Sequence, residues 1–120
     1  MEVRAILDLR EEDTDNPQLL KQYGIRFYHL PMRDLFALSQ AQLEEGTRWV
    51  MNQLQADRRT LVHCRAGTGR SVFVICSVLM SEGYNLDEAL RVVKSKRWGA
   101  NLSSHQMNSL KEFQQRLLSR

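Results

Sequence analysis

Residues 60–82 constrain this chain more than any other stretch. Thr60-Leu61-Val62-His63 is a short apolar run with β character, and Arg70 to Glu82 carries apolar side chains on almost every face at helical spacing. The second pattern is that of a helix buried all round. Between them lie Cys64-Arg65-Ala66-Gly67-Thr68-Gly69, mostly small residues with two glycines. A strand that enters a buried helix through so tight a turn gathers successive backbone N–H groups around one point, where the helix adds the positive end of its dipole. Such a cradle suits a tetrahedral dianion.

The same field favours the thiolate at Cys64, the reactive form of a cysteine. Arg70 opens the helix, and its planar fork can hold two oxygens of one anion in a way lysine cannot. The Ser71 hydroxyl is placed to donate to the Cys64 sulfur when a covalent intermediate breaks down. A cysteine is often just a small core residue, but core packing alone leaves Arg70 and both glycines without a reason. His63-Cys64, five residues, then Arg70-Ser71 resembles the signature of the dual-specificity branch of the protein tyrosine phosphatases. The resemblance implies Cys64 as nucleophile and Arg70 as phosphate binder. Backbone amides of Arg65, Ala66, Gly67, Thr68, Gly69 and Arg70 complete the cradle, and neither metal nor cofactor is required. Rhodanese-like sulfur carriers also use a cysteine loop, but His63 and the spacing to Arg70 favour the phosphatase.

Displacing an alkoxide or phenolate needs a proton for the leaving oxygen. The phosphatase family commonly keeps its acid, an Asp, on a mobile loop after a strand ending in Pro. His29-Leu30-Pro31-Met32-Arg33-Asp34 resembles that stretch, which makes Asp34 the expected acid. An aspartate in a turn more commonly caps local backbone. Asp8 sits inside a strand pattern, and Asp57, beside Arg58 and Arg59, reads as a solvated turn. Prokaryotic members orient the hydrolytic water with a glutamine at the start of a late helix, and the run from Arg97 to Gln106 resembles that region. Gln106 is therefore expected to position water. Asn101 is the alternative, bracing the phosphate loop, and Gln106 also fits as the capping-box partner of Ser103. His63 is expected to hydrogen-bond within the loop and tune the thiolate.

The remainder alternates strand and helix and closes in helices. Strands are expected over Val3–Leu9, Ile25–Leu30 (ended by Pro31) and Thr60–His63. Asn16-Pro17 starts a short helix to about Gln22, stopped by Gly24. Ser39 with Gln42 starts a second, with Leu43, Thr47, Val50 and Leu54 on its buried face. Asn85 with Glu88 starts a helix to about Lys96, and Ser103 with Gln106 starts the last, with Met107, Leu110, Phe113 or Gln114, and Leu117 on its face. This order predicts an α/β fold, a mostly parallel sheet flanked by helices, in one domain over residues 1–120. Three strands make a thin sheet, so an expected extra edge strand is missing or is supplied by the loop regions.

Apolar residues are 42% and charged residues 26% of the 120, ordinary for a water-exposed domain. Two cysteines make no disulfide framework, and a reactive thiol fits a reducing compartment, so a cytoplasmic place is expected. Cys76 is expected to pack in the core rather than pair with Cys64. No secretory signal and no membrane span are expected. The net charge of +3 attracts anions without choosing among them. No aromatic–basic interleaving points to nucleic acid, and a monomer is expected. Arg65 and Arg33 flank the expected site and suit acidic substrates. Thr68 stands where lipid-phosphatase relatives often carry a basic residue, which leans toward phosphoprotein. The expectation is a shallow site for phosphotyrosine, with phosphoserine or phosphothreonine as further substrates, and for phosphate, sulfate or vanadate as ligands. A phosphoinositide or RNA 5′-phosphatase on the same chemistry, and a phosphate-reading module without turnover, are the competing readings.

Overall fold

The structure is a computed structural model, and it describes residues 2–65, 69–97 and 99–120. Three strands, β1 (Ala5–Arg10), β2 (Arg26–Met32) and β3 (Thr60–His63), form a parallel sheet in the order β2-β1-β3. Parallel neighbours need crossover connections, and α1 (Pro17–Gln22) and α2 (Gln40–Gln55) supply them. The chain then runs through α3 (Arg70–Ser81), α4 (Leu86–Lys96) and α5 (Ser104–Leu118). This is the expected α/β class.

The helix starts follow from their caps. Asn16 accepts from Gln18 N and Leu19 N, with Pro17 at the first helical position. Ser39, Asn85 and Ser103 each form a reciprocal capping box with the residue three places on. Each such cap satisfies backbone donors that the helix leaves unpaired and stabilises by about 1 kcal/mol.

Five expected boundaries move, among them the end of β1, from Leu9 to Arg10, and the start of β2, from Ile25 to Arg26. β1 starts at Ala5 rather than Val3. β2 does not stop at Pro31 but runs to Met32, which pairs with Arg10. Proline lacks a ladder donor, yet an edge strand tolerates it, and β2 is an edge strand. α3 stops at Ser81, with Glu82 as its cap and Gly83 at φ +116° carrying the turn.

The core lies between sheet and helices. Leu7 and Leu9 of β1, Val72, Phe73, Val74 and Cys76 of α3, Leu43 of α2 and Leu110 of α5 are fully buried. A fully buried aliphatic or phenyl side chain of this size contributes roughly 1.5–3 kcal/mol. Leu54 leaves the expected face of α2 and is 42% exposed. The buried stripe instead runs Leu43, Gly46, Thr47, Val50, Gln53, so Gln53 takes the last inward position. Gly46 lets α2 approach β2 closely: a Cβ there would lie 2.8 Å from Leu30 Cδ2, so the leucine end would have to shift.

Register sets the site. Asp8 of β1 pairs with His29 on one side and His63 on the other, near the carboxyl ends of all three strands. The loops after adjacent strands β1 and β3 therefore leave from the same edge, where open α/β sheets hold ligands. Among the described residues no helix is long and apolar enough to cross a membrane.

Candidate active site

Arg70 is the first residue of α3, and its side chain is only 2% exposed. A buried guanidinium needs a partner, and the loop after β1 provides one. Arg70 Nη1 donates to Glu12 Oε1 at 2.7 Å and Nη2 to Glu12 Oε2 at 2.8 Å, while Nη1 also reaches the Met32 carbonyl at 3.2 Å. This fork-to-fork pair holds the Glu12 carboxyl down to about 2, chiefly through the Arg70 hydrogen bonds. The Arg70 guanidinium is in turn held more firmly protonated, first by the Glu12 hydrogen bond and, among smaller causes, by the charges of Cys64 and Asp34.

The third guanidinium nitrogen is different. Arg70 Nε is buried and has no hydrogen-bond partner among the described residues, and neither has Ser71 Oγ next to it. Native proteins seldom leave such atoms unpaired. Asp34 Oδ1 lies 3.8 Å from Nε, in ion-pair range but beyond a hydrogen bond, and the Asp34 side chain is 71% exposed. The sequence-predicted Arg70, Ser71 and Asp34 thus converge at the start of α3. Cys64, directly after β3, is half-buried and packs on the edge of the core, while its neighbour Arg65 is exposed. A fixed cation with an unused donor, an adjacent hydroxyl, a thiol and a solvent-facing carboxyl are the groups needed to bind, attack and protonate a phosphoryl ester.

Gly69 is the N-terminal cap of α3, and its carbonyl accepts from Phe73 N at 2.9 Å. The Gln106 amide sits on it: Oε1 would lie 3.4 Å from a Cβ at that position, and the Asn101 carbonyl 3.9 Å. Gln106 is buried, with Oε1 accepting from Ser103 N and Nε2 donating to the Phe36 carbonyl at 3.3 Å. It is therefore both the capping-box partner and a neighbour of Gly69 at the start of α3. Asn101 is exposed, and its side chain accepts from Leu102 N. The expected amide donors at Ala66, Gly67 and Thr68 lie outside the described residues.

His63 reaches out of its own segment: Nε2 lies 2.8 Å from Asp15 Oδ2 and 3.9 Å from Asp8 Oδ1. Asp8 is fully buried, which pushes its carboxyl up, but hydrogen bonds from the Arg10 side chain and from the backbone of Arg10 and Asp15 more than offset this and lower it overall. The donor atoms of Asp8, Asp15 and His63 lie within 4.8 Å of one another. Arg10 donates to both carboxylates, at 3.0 Å on each Asp8 oxygen and 3.2 Å on Asp15. Cys76 is fully buried, and burial pushes its thiol up to about 11.

Glu12 and Asp15 are the site-building residues that the sequence did not single out. The usable signal for Glu12 was the arginine itself: a cation at the head of an apolar helix calls for a carboxylate from another loop.

Comparison with known proteins follows the same geometry. Residues 1–116 match the family described as dual specificity phosphatase, catalytic domain. Human Protein phosphatase Slingshot homolog 2 is 31% identical over 119 residues, which is 98% of this chain but 8% of that protein. Mouse Cyclin-dependent kinase inhibitor 3 is 32% identical over 101 residues, 82% of this chain and 48% of that protein. The chain thus spans half or less of these relatives. Among solved structures, Tk-PTP in its active form superposes with a TM-score of 0.88 at 36% identity, covering 95% of this chain and 80% of that one. PTPMT1 superposes at 0.91 with 22% identity, covering 98% and 80%, a likeness of fold alone. Because the family match runs over nearly the whole chain, and Tk-PTP shares both its fold and more than a third of its sequence, this chain belongs to the dual-specificity phosphatase catalytic-domain family.

Proposed function

We propose that this domain is a protein phosphatase that hydrolyses phosphotyrosine, and phosphoserine or phosphothreonine more slowly, through a phosphocysteine intermediate. The Cys64 thiolate attacks phosphorus, forming the sulfur–phosphorus bond as the ester oxygen–phosphorus bond breaks. Protonated Asp34 gives its proton to the leaving oxygen. Water then attacks phosphorus, Asp34 takes a proton from it, inorganic phosphate leaves, and the Cys64 thiolate is regenerated with the Ser71 hydroxyl donating to it. Arg70 and the backbone amides of the loop from Arg65 to Gly69 hold the phosphoryl oxygens throughout and stabilise the charge that builds on them. Gln106 is the better candidate to orient the water, since its buried amide touches Gly69 while the Asn101 side chain faces solvent.

The observation that carries this reading is the buried Arg70 guanidinium, locked on one edge by Glu12 and left with an unpaired Nε beside Asp34. The preference for phosphoprotein is supported by the relative named as a protein phosphatase and by the uncharged Thr68, which brings no positive charge to a second phosphate. PTPMT1 has been solved with PI(5)P, so lipid is the alternative to test. Turnover is measured on a phosphotyrosine peptide, a phosphoserine peptide, phosphoinositides and RNA 5′-triphosphate. The proposal expects the highest kcat/KM on the phosphotyrosine peptide; a higher value on phosphoinositide or RNA overturns it, as does peptide binding without turnover.

A further inference from the structure

The segment that carries Asp34 is tied along its length to the first turn of α5. Ser103 Oγ donates to the Leu35 carbonyl at 2.5 Å, and Gln106 Nε2 donates to the Phe36 carbonyl. The Phe36 ring stacks on His105 with centroids 4.8 Å apart and planes 17° from parallel, and the Arg33 guanidinium lies 4.7 Å from the Phe36 centroid. Leu35 itself has φ +69°, a left-handed conformation that a residue with a Cβ avoids. Its side chain is 62% exposed, so burial does not hold it there. Its backbone is held instead: the N–H donates to Asp34 Oδ1 at 3.0 Å, and the C=O accepts from Ser103. The same Asp34 oxygen is the one 3.8 Å from Arg70 Nε. One residue thus links the Ser103 hydroxyl to the carboxylate that faces the phosphate clamp. Strained backbone of this kind persists only where its surroundings over-determine it, and it clusters at functional sites.

We propose that Ser103 is a positioning residue for the acid: through the left-handed Leu35, its hydroxyl holds the Asp34 carboxyl at the leaving-group side of Arg70. This rests on Asp34 being the general acid. Ser103 also accepts from Gln106 N as the helix cap, so the two roles must be separated. A hydroxyl both donates and accepts. Ser103→Thr keeps both roles. Ser103→Gly removes the donor, and glycine is nearly as good a cap as serine.

The experiment measures kcat and KM on a phosphotyrosine peptide and on p-nitrophenyl phosphate, whose good leaving group needs little acid help. The variants are Ser103→Gly, Ser103→Thr, Asp34→Asn and the Ser103→Gly/Asp34→Asn double. Ser103→Gly is expected to lower kcat on the peptide about tenfold with KM unchanged, and to move the p-nitrophenyl rate less than about twofold, part of the span open to acid catalysis. Ser103→Thr restores the parent value. In the Asp34→Asn background, Ser103→Gly has no further effect on the peptide, because variants that act through one group do not add. Equal losses on both substrates, or additive losses in the double variant, overturn the proposal. If Asp34→Asn itself fails to discriminate between the substrates, the acid assignment falls; if it discriminates and Ser103→Gly does not, only the Ser103 inference falls. Thermal unfolding confirms that each variant is folded, and Ser103→Asp, whose carboxylate caps the helix but cannot donate to Leu35, reads the same split should the glycine variant not fold.

Discussion

Arg70 and Glu12 are best understood together, because each is costly alone. The guanidinium is buried at the head of an apolar helix, and the carboxylate that neutralises it comes from a loop almost sixty positions earlier. Glu12→Gln keeps the shape but loses the charge, so Arg70 is expected to wander: KM for phosphopeptide rises and phosphate inhibition weakens, both read by steady-state kinetics. The pair also carries a pH signature. Glu12 is held to about 2 against an ordinary 4.5. A lowered carboxyl stabilises the fold fully above its unfolded value and loses that stabilisation as pH falls through the folded value. The parent's melting temperature is therefore expected to decline between about pH 4.5 and 2, with a smaller decline in Glu12→Gln; parallel curves would remove the pair from the account. The two thiols should separate as well. Cys76 is fully buried with its thiol pushed up to about 11, whereas Cys64 is half-buried at the site. Iodoacetamide at neutral pH, followed by peptide mapping, is expected to label Cys64 and spare Cys76. That Arg70 and Asp34 come within 3.8 Å of each other was legible because each stands in a short run of fixed spacing. Glu12 was not, since Arg10-Glu11-Glu12-Asp13 offers several charges and only the fold selects which one meets the buried guanidinium. His63 shows the same limit: its partner is Asp15 of another loop, which no local spacing reveals.

Among the elements, helix starts were the most legible feature, because a capping box is a local arrangement written in four residues. Asn16, Ser39, Asn85 and Ser103 all cap where the pattern placed them. Asn85→Ala removes the acceptor for Glu88 N on a helix outside the site. It is expected to cost about 1 kcal/mol in chemical unfolding while leaving kcat/KM unchanged; a loss of activity at full folding would mean α4 takes part in the site. Strand ends were harder, for a physical reason. Pro31 reads as a stop locally, but whether a missing N–H matters depends on whether that strand has a neighbour on its proline side, which is a property of the sheet. Leu54 failed similarly: at 3.6 residues per turn the inward stripe of α2 drifts, and Gln53 rather than Leu54 comes to face the core.

At the scale of the whole molecule, α3 joins structure to chemistry. It packs on β3, α2, α4 and α5, its first residue is the proposed phosphate clamp, and the residues that follow are core. Phe73, fully buried three residues after Arg70, ties the two together. Phe73→Ala is expected to destabilise by about 3–5 kcal/mol, with thermal unfolding and activity lost together rather than separately. The fold class was visible in the alternation of strand and helix, while the strand order, which brings the loops after β1 and β3 to one edge, emerges only from pairing. The central claim concerns the bond made at that edge. Turnover of a phosphotyrosine peptide is quenched with acid in the steady state, and the protein is digested and mapped by mass spectrometry. The account predicts one phosphoryl group on the peptide containing Cys64, accumulating further in Asp34→Asn if water activation becomes limiting and absent in Cys64→Ser, which should not turn over. A phosphoryl group found elsewhere, or a Cys64→Ser variant that hydrolyses the peptide like the parent, would contradict it.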